Sequence, residues 1–70
     1  MLNKTLFTNK INELATIFNT QLSKERINLY YKYLNKYNDL DFNTAVNTII
    51  QYDHKFPSIA TLRTLAKKEN

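Results

Sequence analysis

The sequence predicts an all-α protein, a compact single-domain bundle of four short helices. Three observations lead there. Apolar residues recur at spacings of three and four along most of the chain, the period of a helix with one buried side. There is no glycine and one proline in 70 residues, so strands joined by tight turns lack the residue that such turns need. Asn, Ser or Asp stands just before each periodic run, where its side chain can accept from the free amides of a first helical turn.

The first run is Phe7, Ile11, Leu14, Ala15, Phe18 and Leu22, and it predicts a helix over about 5–21. Asn3 or Thr5 supplies the cap, and residues 1 to 4 read as a frayed start. Ser23 caps a second helix over about 24–37, with Glu25 in the first turn where the helix dipole favours negative charge. Ile27, Tyr30, Tyr31 and Leu34 form its main stripe. Leu29, Tyr33 and Tyr37 form a second stripe on another side. A helix apolar on two sides either packs between two neighbours or presents a face to a partner, a second copy of the chain included.

Asn38 and Asp39 read as a turn, and Asp41 as the cap of a third helix over about 42–53. Leu40, before that cap, is placed to act as a staple onto Ala45. Phe42, Ala45, Val46, Ile49 and Ile50 give the third helix one apolar face. Pro57 fixes its own φ and pushes Phe56 out of helical geometry, so this helix must stop before it. Ser58 then caps a fourth helix over about 59–67, with Ile59, Leu62 and Ala66 on its apolar side and Lys67 and Lys68 at its C-terminal dipole. Connections of two to five residues suit a small bundle.

A chain of this length makes one domain, residues 1–70, with a core that needs bulk to be stable. Cysteine is absent, which excludes disulfides and thiolate metal sites, so the bulk must come from the five Tyr and four Phe. No catalytic constellation is visible. One His and no Cys remove most nucleophile and zinc arrangements, and without glycine there is no phosphate-cradling loop. The pair Asp53–His54 reads as a solvated turn. The expectation is therefore a protein that is not an enzyme and holds no cofactor or metal.

The net charge of +4, with a pI near 9.5, favours acidic partners. It argues against mimicry of DNA. Tyr33 and Tyr37 interleave with Lys32 and Lys36, a mixture that can hold a nucleic-acid backbone and stack a base. The third and fourth helices also invite a helix-turn-helix reading, in which only Thr61, Arg63 and Thr64 would read bases. The basic residues are spread along the chain, however, rather than gathered on one helix. No signal peptide is visible, no run approaches the roughly 20 apolar residues of a membrane span, and the most amphipathic helix, the first, has Asn, Thr and Glu13 beside Lys10 on its polar face rather than a basic stripe. The expected location is the cytoplasm of a bacterial host cell.

The run from Tyr30 to Ala66 carries a family resemblance. Its parts are Tyr30 or Tyr31 followed by Leu34, the acidic turn Asn38-Asp39-Leu40-Asp41, the pair Ala45-Val46, and Lys55-Phe56-Pro57-Ser58-Ile59-Ala60 opening the last helix. This pattern resembles the N-terminal helical domain of phage replicative-helicase loader and inhibitor proteins, found in phages of Gram-positive bacteria. The resemblance covers about half of the chain, and the first helix by position and pattern only. Its motifs pack and cap, so they specify a fold more than an activity.

The resemblance implies a protein of phage or mobile-element origin that contacts a replicative helicase or its loader and redirects or inhibits DNA replication. In the family, a flexible tail after the compact domain takes a main part in gripping the helicase. The sequence stops at Asn70, four residues after Ala66, without such a tail. Either the chain is shortened, or the contact falls to the domain's own surface. The partner-binding residues expected there are Tyr33, Lys36, Tyr37, Lys55 and Arg63, with the tyrosines as anchors and the cations steering or pairing with acidic groups. Two alternatives stay open: a small basic nucleic-acid-binding protein, and a phage inhibitor of a host defence system on the same fold.

Overall fold

A computed structural model describes residues 2–67. Four helices follow one another: α1 Lys4–Ile17, α2 Lys24–Leu34, α3 Asp39–Tyr52 and α4 Ile59–Ala66. There is no strand among the described residues. The helices close a ring in which α1 packs on α3, α3 on α4, α4 on α2 and α2 on α1. The two diagonal pairs make no close backbone approach. The radius of gyration is 11.0 Å, which matches the roughly 11 Å of a compact chain this long.

The core fills the centre of that ring. Phe7, Ile11 and Leu14 enter from α1, Leu34 from α2, Phe42, Val46 and Ile49 from α3, and Leu62 from α4. Each has its side chain removed from water, so the periodic apolar stripes are the packing faces. The rings of Phe7 and Phe42 lie 5.1 Å apart, and Tyr31 meets Phe7 edge-on at 5.2 Å. Aromatic contacts thus join three of the four helices, which is how a small chain gains buried area without a disulfide.

Local chemistry accounts for the helix starts. Asn3 accepts from the Leu6 amide, Ser23 from Arg26 and Ser58 from Thr61. The third start differs from the expectation. The cap is Asn38, whose Oδ1 accepts from the Asp41 amide at 2.7 Å, so α3 begins at Asp39. Asp41 is then the third residue of the helix, and Asp39 and Asp41 both complement the positive end of the dipole. Leu40 consequently sits inside the first turn with 67% of its surface exposed, and it makes no staple.

The ends of α1 and α2 also fall earlier than periodicity predicts. Asn19 adopts φ 52°, in the left-handed region that asparagine tolerates. The Asn19 amide then donates to the Thr16 carbonyl and the Thr20 amide to the Ala15 carbonyl, the two reversed bonds of a Schellman ending. Phe18 and Leu22 still pack against the core, from outside the helix. In α2 the regular helix stops at Leu34, and the Asn35 carbonyl accepts instead from the Leu2 amide at 2.9 Å.

From Leu2 to Lys4 the expected fraying is not found: the segment is anchored. Leu2 is 1% exposed. Its amide donates to Asn35, and its carbonyl accepts from the Tyr31 hydroxyl at 2.7 Å. The Asn3 amide donates to Asp39 Oδ1 at 2.8 Å, which ties the cap of α1 to the first turn of α3. Met1 and Lys68 lie outside the described residues, and with Lys68 the expectation that it meets the C-terminal dipole of α4.

Candidate functional site

Two adjacent tyrosines of α2 set the geometry. Side chains one residue apart on a helix point about 100° apart, so Tyr30 and Tyr31 serve different neighbours. Tyr31 faces α1 and the Leu2 segment. Tyr30 faces the α3–α4 connection, where its hydroxyl donates to the Pro57 carbonyl and its ring lies 5.9 Å from Phe56. The main stripe of α2 therefore packs between two neighbours. The second stripe does not: Leu29 is 51% exposed and Tyr33 49% exposed.

Tyr33 and Lys36 are exposed, and Tyr37 is half-buried. Tyr37 lies beyond the end of α2, so it does not continue the helical stripe of Leu29 and Tyr33 as the periodicity predicts. It packs against the edge of the core instead. Each ring carries a lysine: Lys32 Nζ is 5.6 Å from the Tyr33 centroid, and Lys36 Nζ is 5.5 Å from that of Tyr37. An ammonium over a ring face is attracted by the ring quadrupole, by about 0.5–1 kcal/mol at exposed sites. Both tyrosines thus have a cation beside an apolar surface.

Tyr37 and Arg63 come together. With Ala60, Thr64 and Lys67 they line a shallow hollow of about 280 Å³ between the end of α2 and the outer side of α4. Among the described residues no acidic side chain lines it. Lys55 lies elsewhere, in a second hollow of about 270 Å³ shared with Arg26, Asp53, Phe56 and Ser58. The five residues singled out from the sequence therefore do not form one compact cluster. Tyr37 and Arg63 share one end of the α2–α4 seam, Lys55 lies at the other, Tyr33 is exposed on α2, and Lys36 sits beside the Tyr37 ring.

Arg26 is the residue that the sequence reading left out of the site. Its guanidinium carbon lies 5.4 Å from the Phe56 ring and 5.8 Å from the Tyr30 ring. Two aromatic rings thus hold an exposed cation in place. The spacing of Arg26 and Tyr30, four apart on a helix, was a legible signal for half of this contact. Phe56, 30 positions further on, was not.

Among the described residues no three His, Cys, Asp or Glu side chains gather as metal ligands would. Asp53, His54 and Lys55 are all exposed in the turn after α3. No helix among the described residues is long and apolar enough to cross a membrane. A scan against protein-family models found no match, and searches of curated proteins and of solved structures found none either.

Proposed function

We propose that this chain is a non-enzymatic phage or mobile-element protein, acting in the bacterial cytoplasm, that binds a replicative helicase or its loader and redirects or inhibits DNA replication. One observation supports the protein-binding part of that reading. Leu29 and Tyr33 leave about half of their surfaces in water beside the cations of α2, whereas the other tyrosines of that helix are committed to the fold. Exposed aromatic surface with cations around it suits the anchor-and-rim composition of a protein interface. The choice of a helicase or loader rests on the resemblance of residues 30–66 to the phage loader and inhibitor proteins.

The test is direct binding of the purified chain to a purified replicative helicase and its loader, with an unwinding assay in parallel. Wild type should bind, and Tyr33→Ala combined with Arg63→Glu should weaken binding while circular dichroism stays unchanged. Binding that is indifferent to both substitutions would remove this face from consideration.

A second reading has its own observation. Arg63 and Lys67 flank Tyr37 on the outer side of α4, a basic and aromatic surface that can meet a nucleic-acid backbone. A gel shift on single- and double-stranded DNA at two salt concentrations separates the readings, because phosphate contacts weaken steeply with salt.

A further inference from the structure

The α2–α4 seam carries cations at both ends and apolar surface between them. At one end, Arg26 is stacked over Phe56 and Tyr30, with Lys55 beside the same hollow. Asp53 also lines that hollow, so its two cations outnumber its one acid. At the other end, Arg63 and Lys67 flank Tyr37, and among the described residues no acid joins the lining. Along α2, Arg26, Tyr30 and Tyr33 stand at i, i+4 and i+7, which places them on one side of the helix. Leu29 is three residues after Arg26 and four before Tyr33, so it borders the same side. Tyr30 fixes which side this is, because it reaches Pro57 and Phe56 at the head of α4. Tyr37, in the turn after α2, closes the far end against α4.

From Arg26 to Leu34 the strip follows α2 for roughly 12 Å, somewhat over two helical turns, and the Tyr37 end lies beyond the helix. An occupant that satisfies it needs negative charge at two points more than about two turns apart and apolar side chains between them. We infer that this strip is a docking site for an acidic amphipathic helix of a partner protein, with one carboxylate at Arg26 and another at Arg63 and Lys67, and with apolar residues on Leu29 and Tyr33. Charge complementarity selects this occupant, and a rigid helix matches the straight run of α2. The inference rests on the proposed protein-binding role and adds the chemistry of the partner, together with Arg26, Leu29 and Lys67.

The test uses a helical peptide of about four turns. It carries glutamates roughly three turns apart and two apolar residues between them on the same face. A second peptide replaces the glutamates by lysines, and a single-stranded oligonucleotide is the third probe. Each is titrated into the isotope-labelled full chain, with backbone amide shifts recorded up to millimolar probe so that weak binding registers. The acidic peptide should shift amides along α2 and α4, and the basic peptide should not. Arg26→Glu and Arg63→Glu should each weaken the acidic peptide by about tenfold. Lys24→Glu, two residues before Arg26 and therefore on the other side of α2, should change it by less than about twofold.

Equal shifts with both peptides, no shift with either, or binding of the oligonucleotide alone would overturn the inference. The same variants are then measured against the purified helicase and loader. A helicase that binds through Tyr33 and Arg63, when the acidic peptide does not bind, overturns the acidic helix and leaves the helicase reading standing. An acidic peptide that binds as described, with no binding to helicase or loader, supports the strip and removes the helicase.

Discussion

The Tyr30 hydroxyl donates to the Pro57 carbonyl at 2.9 Å, across 27 residues of sequence. The bond is buried, and it fixes the corner at which the chain leaves the turn and enters α4. Ser58, the cap of α4, follows immediately. One tyrosine therefore ties α2 to the Phe56–Pro57 turn at the head of the last helix. Tyr30→Phe keeps the ring and removes the donor. It should lower stability by about 1 kcal/mol, somewhat more if the carbonyl stays dry. A urea unfolding midpoint that does not move would show that water replaces the hydroxyl.

Leu2 gives a sharper contrast. It is buried against the core, whereas Leu40 is mostly exposed although both are leucines next to a helix start. Leu2→Ala should cost about 2–5 kcal/mol, a large share of what a domain of this size has. Leu40→Ala should stay within about 0.5 kcal/mol. Thermal melts of the two variants check the pair, and equal losses would contradict the anchoring of the N-terminal segment.

The cap of α3 can be tested in the same way. Asn38→Ala removes the acceptor of the Asp41 amide and should cost about 1 kcal/mol. Asn38→Ser should recover most of it, since serine is an equally good cap. Failure of serine to rescue would indicate that the Asn38 side chain does something besides capping.

Ile49 is fully buried on the packing face of α3. Ile49→Asp would place an unpaired carboxylate in the core, at a cost that a small domain cannot meet. The far-ultraviolet circular dichroism should lose its helical signal at room temperature. A folded spectrum with an unchanged melting curve would mean that α3 turns a different face inward.

For the surface, Tyr33→Ala should leave the melting temperature nearly unchanged, because the ring is half exposed and lies beside the Lys32 ammonium. The same substitution should weaken partner binding by about tenfold or more if Tyr33 is an anchor. Calorimetry with the purified partner reads the second effect and differential scanning the first. A large stability loss would place Tyr33 in the fold instead.

Much of the fold was legible because it is written in short-range chemistry. A cap needs only an acceptor three residues before a free amide, and Ser23 and Ser58 meet that condition wherever the helices later pack. A buried face needs only periodicity, so Phe7, Ile11 and Leu14 in α1 and Phe42, Val46 and Ile49 in α3 mark their own inward sides. The proline break between α3 and α4 is equally local, since Pro57 restricts the residue before it in any context.

What the tertiary structure decided depends on residues far apart in the chain. Periodicity could not say that Leu2 is core, because its partners Tyr31 and Asn35 come 29 and 33 positions later. It could not end α2 at Leu34, where the Asn35 carbonyl turns to the Leu2 amide. It grouped Leu29, Tyr33 and Tyr37 as one stripe, and the packing divided them: two stay exposed on the helix, and the third closes a hollow against α4. Arg26 became part of a candidate face only when Phe56 was brought under its guanidinium. The sequence by itself determined the starts of α2 and α4 and the buried sides of α1 and α3, because those are free energies of neighbouring residues. Which exposed side chains share a surface is set by the ring of four helices, and that arrangement exists only once the chain has folded.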